Sequence, residues 1–199
     1  MICKPNCVGS IPRNDWVNSC KKKTRKGGIA RLVFLVCDAD FVLPNSGAWT
    51  NVDNWIYALC QNRVFISGPI LGQMPKGSFN KKRFDSCSPE KVVSGSQTIT
   101  FLDYNADDEA LIDFSFWKGI VDNKEFLLVG WITCDELVYL YNEDWDLEVG
   151  PVIEDTKEGN TFRDGVVTMS TLPTDLIPVK CVGILNALES FVTETTCYS

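Results

Sequence analysis

Two alternating apolar rows, separated by a turn-forming pair, lie between Phe126 and Tyr141, and such a pattern is satisfied by little except an antiparallel hairpin. Leu127, Val129 and Trp131 share one side of the first run, and Leu137, Tyr139 and Tyr141 form a matching row in the second. Cys134-Asp135 falls between them as the turn. Successive side chains on a strand point to opposite faces, so each row marks a face that needs cover. A lone hairpin is marginal in water, so further strands or a helix must supply that cover.

The rest of the chain supplies both. Residues 29–37 alternate, with Ala30, Leu32, Phe34 and Val36 on one side and Arg31, Val33, Leu35 and Cys37 on the other. Both sides are largely apolar, which predicts a strand buried on both faces. Further strands are expected over 64–67, 92–102, 147–154, 161–170 and 179–184, with Pro151 marking an edge or a bulge. Asp53 is expected to cap a short helix over 54–60. Acidic residues at 107–109 favour the positive end of a second helix, over 108–118, with Gly119 as its stop. Residues 68–89 read as a long loop rich in Pro, Gly and Lys, either an assembly contact or a floppy insertion. The expected organisation is an extended arm over 1–28, a β-sandwich or barrel domain over 29–184 and a tail over 185–199. The fold class is mainly β with one flanking α-helix, that is α+β.

Composition narrows the function. There is no histidine, which removes the commonest general base and the commonest metal ligand. Charge is divided along the chain: residues 1–91 hold 14 Lys/Arg against 6 Asp/Glu, and residues 92–199 hold 5 against 20. That division suits two faces of one domain, or copies meeting head to tail, basic surface on acidic surface. The nine cysteines are odd in number and widely spaced, the pattern expected of reduced, buried thiols in a protein made in the cytosol. Residues 1–6 show no apolar signal segment, and the apolar runs are too short for a membrane span.

Four local features bear on chemistry. Residues 72–78 hold phosphate-loop residue types in the wrong order, with Pro75 where the cradle should bend. Cys3, Cys7 and Cys20 can supply three zinc thiolates, but no second close pair follows, and no metal site is assigned. Glu143, Asp144, Asp146 and Glu148 crowd one turn. They can hold calcium or serve a carboxylate-based glycosidase, but the calcium-loop pattern is missing and adjacent carboxyls do not face each other across a cleft. The basic run 21–26 lacks the interleaved aromatics of a nucleic-acid binder, and an acidic patch on a neighbouring copy is the preferred partner. No catalytic residue, cofactor or enzymatic activity is expected.

The order of elements resembles the tail tube proteins of tailed bacteriophages and related contractile injection systems. The likeness rests on Arg25-Lys26-Gly27-Gly28-Ile29-Ala30-Arg31-Leu32-Val33-Phe34, then Ser96-Gln97-Thr98-Ile99-Thr100-Phe101, then a helix ending in Phe116-Trp117 and an immediate long hairpin. The closing segment runs from Glu154 to Phe162 and into Gly165-Val166-Val167-Thr168-Met169. It is a likeness of pattern over 25–183, without a diagnostic motif. It implies a virion structural protein: hexameric rings, a continuous inner barrel completed by neighbours, ring stacking through loops and arms, and genomic DNA sliding through the lumen during ejection. Its other partners would be sheath or terminator and baseplate proteins, and its location the virion tail after assembly in the host cytoplasm. Nine cysteines and a long amino-terminal arm depart from a minimal tube subunit, which leaves a tail terminator or head–tail connector open. A carbohydrate-active enzyme is the alternative of a different class.

Overall fold

The computed structural model describes residues 28–38, 41–45, 48–83, 90–104, 110–155, 160–170 and 176–191. The arm over 1–27, with Cys3, Cys7, Cys20 and the basic run 21–26, lies outside the described residues, as do 192–199.

Strand β1 (Ile29–Val36) is the centre. It pairs on one side with β6 (Leu127–Thr133) and on the other with β2 (Val64–Ile66) and β3 (Ile70–Gly72), always antiparallel. The ten-stranded sheet continues outward through β7 (Leu137–Tyr141) to β10 (Val179–Lys180) on one flank. On the other it runs through β5 (Lys91–Asp103) and β9 (Asn160–Met169) to β8 (Trp145–Asp155). β4 (Lys76–Lys82) pairs only with β5. The architecture is mainly β with helices, α+β, in an open antiparallel sheet; among the described residues there are three α-helices, Ile184–Ser190 in addition to the short helix and the flanking helix that the sequence led us to expect.

The two-sided apolar pattern of β1 has its cause in two cores. Leu32 and Phe34 join one cluster with Phe116, Trp117 and Ile120 of α2 (Ala110–Asp122), and with Ile99, Phe101, Trp145, Leu147, Val167 and Met169. Val33 and Leu35 join the other, with Trp55, Ala58 and Leu59 of α1 (Val52–Cys60) and Ile184 and Leu188 of α3 (Ile184–Ser190). The sheet also curls. Trp145 opens β8, five places from β6 in strand order, yet its indole donates to the Leu127 carbonyl at 2.9 Å and lies 5.7 Å from the Phe34 ring. Strands far apart in the sheet thus meet around α2. Gly165 is needed for this closure, because a Cβ there would sit 2.2 Å from the Phe101 ring, which stacks on Trp117 at 5.1 Å.

The hairpin of β6 and β7 forms as the alternation predicts, with Trp131 opposite Tyr139 and the rings stacked at 5.1 Å. Pro151 sits in β8, an end strand of the sheet, at a register shift between Val149 and Val152, so it is at both an edge and a bulge. Other expectations need correction. α2 runs past Gly119, because Ile120 is buried in the core and Asn123 Nδ2 donates to the Gly119 carbonyl at 2.8 Å. Asn51, not Asp53, caps α1, accepting the Asp53 N–H at 2.9 Å. The expected loop over 68–89 contains β3 and β4. The strand expected over 179–184 stops at Lys180, and Gly183, at φ 85°, turns the chain into α3. Glu136 fixes that corner by accepting the Gly183 N–H at 2.9 Å.

Cys37 and Cys60 are disulfide-bonded, which overturns the expectation of uniformly reduced thiols. Cys134 and Cys181 keep their thiols. Burial pushes the Cys181 thiol up to about 11, the Glu136 charge adds to this, and a hydrogen bond with Trp55 opposes it. Among the described residues no helix is long and apolar enough to cross a membrane.

Candidate assembly surfaces

The acidic turn resolves into separate roles. Asp144 lies in the link from β7 to β8, and its carbonyl accepts the Ser170 N–H at 3.0 Å and the Ser170 hydroxyl at 2.9 Å. From Trp145 onward the chain is β8 and alternates: Trp145 and Leu147 enter the core, while Asp146 and Glu148 point outward and are exposed. Asp146 pairs with Lys124 and accepts the Leu147 N–H at 2.9 Å. The Lys124 hydrogen bond holds the Asp146 carboxyl below the usual range, against the effect of its partial burial. Asp146 and Glu148 stand along β8, and Asp144 lies in the link before it. Among the described residues no group of three His, Cys, Asp or Glu is placed to hold a metal.

Gly72 closes β3 and Lys76 opens β4, so residues 72–78 form a strand–loop–strand without the helix a phosphate loop needs. A depression of about 420 Å³ lies on the outer face of β3, β5 and β9, lined in part by Leu71, Gln73, Thr100, Leu102, Asp164 and Val166. Asp164 is the single carboxylate in its lining. A single carboxylate in that lining supplies no paired acid and base.

Three surface features remain. First, α1 and α3 cover the outer face of β1, β2 and β6, while the same face of β5, β9 and β8 carries Thr98 opposite Thr168, and Thr168 opposite Asp146. Thr100 and Glu148 both flank Val166, and Leu102 faces Asp164. Most of these side chains are exposed or half-buried, giving a face of threonine, short aliphatics and carboxylates. Second, β8 ends the sheet order, so its outer edge carries a row of backbone groups with no strand beside it among the described residues. Third, two hairpins leave the sheet. β4 pairs with the first half of β5, from Lys76 opposite Thr98 to Lys82 opposite Lys91, and all seven β4 residues are exposed. β8 and β9 continue past the end of β5 from Ile153 opposite Phe162 to Asp155 opposite Asn160.

The sequence reading placed Glu143, Asp144, Asp146 and Glu148 on one turn, whereas β8 begins at Trp145 and carries Asp146 and Glu148 on its outer face. The β4 hairpin was missed, since a strand exposed along its whole length has no apolar row to reveal it; Phe79 between lysines was the one available signal. No protein-family model matches this chain, and no curated protein matches it.

Proposed function

We propose that the chain is a virion structural protein, a subunit of a phage tail tube that assembles into stacked hexameric rings around a channel for DNA ejection. The observation that carries this reading is the unfinished half of the sheet: among the described residues, β5, β9 and β8 have one face packed on the core, no helix on the other face, and no strand beside β8. An open strand edge is a hazard for a solitary chain and an asset when a neighbour pairs with it. In a ring, such strands from successive copies complete an inner barrel, which is the finer fold assigned to this sheet.

The chemistry of the uncovered face fits a channel for nucleic acid. Asp146, Glu148 and Asp164 lie on it with Thr98, Thr100 and Thr168. Carboxylates repel phosphates, and threonine offers no cationic site to hold them, so DNA slides without sticking. The disulfides of Cys37 and Cys60 suit a protein that ends outside the reducing cytoplasm, as a released virion does.

Negative-stain imaging of the purified full chain tests the proposal. Rings or tubes with a central channel are expected; single rings without tubes would turn the reading toward a terminator or connector. Featureless particles of one copy each would sink it.

A further inference from the structure

The β4 ribbon gathers positive charge in a chain whose net charge is −7. β4 reads Lys76-Gly77-Ser78-Phe79-Asn80-Lys81-Lys82, Arg83 follows directly, and every one of these residues is exposed. The stretch of β5 that pairs with it between Ser94 and Thr98 holds no acidic residue. Among the described residues no carboxylate forms an ion pair with Lys76, Lys81 or Arg83. Cations held this close without carboxylates between them repel one another, and a polyanion laid along the ribbon removes that cost.

Register and alternation sort the ribbon into two faces. Phe79 lies opposite Gly95 and Gly77 opposite Gln97, so these four share a face, and Lys81 follows Phe79 on it. Glycine before Phe79 and glycine across from it leave the ring uncovered, and Phe79 is 51% exposed. Gln97 is 6% exposed, and its amide Nε2 has no hydrogen-bond partner. Gly77, opposite Gln97, has no side chain to stop that amide from turning outward. A bare aromatic ring, a spare amide donor and neighbouring cations match the three parts of a nucleotide: base face, base edge and phosphate. A protein partner would need an apolar centre, and glycine, glutamine and lysine around Phe79 do not make one.

We propose that the β4 ribbon is a binding site for single-stranded nucleic acid without sequence preference. An unpaired base stacks on Phe79, the Gln97 amide donates to an acceptor on the base edge, and Lys76, Lys81 and Arg83 contact the phosphates on either side. The strand is single because bases inside a duplex are already covered by their neighbours, and sequence is not read because every base has a face to stack. The inference goes beyond the tube-subunit reading and does not rest on it. The ribbon leaves the sheet along β5, whereas the carboxylates that repel DNA, Asp146, Glu148 and Asp164, stand on β8 and β9.

The test measures binding of the full chain to a fluorescently labelled, mixed-sequence single-stranded oligonucleotide by anisotropy over a range of salt. Contact with about three or four phosphates predicts a slope of log affinity against log salt of about −2 to −3. Lys81→Glu/Arg83→Glu should weaken binding at least about tenfold. Lys118→Glu/Lys180→Glu makes the same change in net charge on exposed cations elsewhere and should alter binding by less than about twofold. Phe79→Ala should weaken single-strand binding at least about fivefold and leave duplex binding, measured beside it, unchanged. β4 is exposed along its whole length, so these variants lose no core contact, and thermal melting verifies their fold. No binding at low salt, equal losses in the two charge-reversed pairs, or a Phe79→Ala variant that binds single strands as well as the unaltered chain would overturn the proposal. Equally tight binding of polyglutamate would overturn it too, by showing a contact for any polyanion. None of these outcomes bears on whether the chain forms rings.

Discussion

Replacing Trp117 by Phe probes the inner core around which the sheet curls. Trp117 is 2% exposed, stacks on Phe101 at 5.1 Å and meets Phe34 edge-on at 6.3 Å. Its indole N–H donates at 2.9 Å to Oδ2 of Asp103, a residue without accessible surface. Phenylalanine keeps the ring in the stack and removes one of the contacts that hold the Asp103 side chain. Removing one partner of a buried side-chain hydrogen bond costs about 1–3 kcal/mol. The lost ring area and residual void add about 1 kcal/mol. The sum is about 3 kcal/mol, a large share of the roughly 5–15 kcal/mol that holds a typical domain together. With a urea slope of about 2 kcal/mol/M the midpoint should fall by about 1.5 M with no change in slope. Trp131 supplies the control: it is equally buried and stacks on Tyr139, but its indole nitrogen has no hydrogen-bond partner. Trp131→Phe loses packing and removes an unsatisfied donor, two effects of opposite sign, so its midpoint should move by less than about 0.5 M. Urea unfolding followed by far-ultraviolet circular dichroism reads both. Equal shifts for the two variants would refute the role given to the Asp103 contact.

Further outcomes follow from the same structure. Gly165→Val drives a side chain into the Phe101 ring and should cost at least about 2 kcal/mol by the same urea assay, whereas Thr168→Val on the outer face of the same strand should stay within about 0.5 kcal/mol. Alkylation of the native, unreduced protein followed by peptide mass spectrometry should label half-buried Cys134, spare buried Cys181 until unfolding, and label Cys37 and Cys60 only after reduction. The raised Cys181 pKa keeps its proton bound in the folded chain when the unfolded chain has lost it. Its contribution to stability is therefore full below the pKa of an unfolded thiol and is lost as pH rises toward about 11. Cys181→Ala should flatten that alkaline fall in the thermal midpoint. Asp146 has the opposite sign: its lowered pKa stabilises the fold above the usual carboxylate range, and the benefit disappears as pH falls through the folded value. Because the Lys124 pair is largely exposed, Asp146→Asn should cost no more than about 0.5 kcal/mol at neutral pH.

What the sequence made legible followed the strength of its periodicity. β1 and the β6–β7 hairpin were readable because each inward position is apolar and each row faces a definite core. Pro151 was readable because a ladder without one N–H tolerates it only at an edge or bulge. α2 outran its expected stop because burying Ile120 outweighs the roughly 1 kcal/mol that an internal Gly119 costs a helix. α3 was hidden by its length: seven residues give only Ile184 and Leu188 as buried positions, too few to establish a period. The disulfides of Cys37 and Cys60 were hidden for another reason, since a sulfur's partner is set by tertiary approach and not by spacing along the chain. The β4 ribbon needed the strand register itself. Charge counting divides the sequence into a basic first part and an acidic second part, and only the pairing of β4 with β5 gathers Lys76, Lys81 and Lys82 on one ribbon.

Native mass spectrometry of the full chain, sprayed from low salt over a range of concentrations, addresses the unfinished sheet most directly. Species of six copies and multiples of six, falling apart into smaller ones when the outer edge of β8 is blocked by proline at an unpaired position, are the expected result. A single peak at the mass of one copy at every concentration would contradict it.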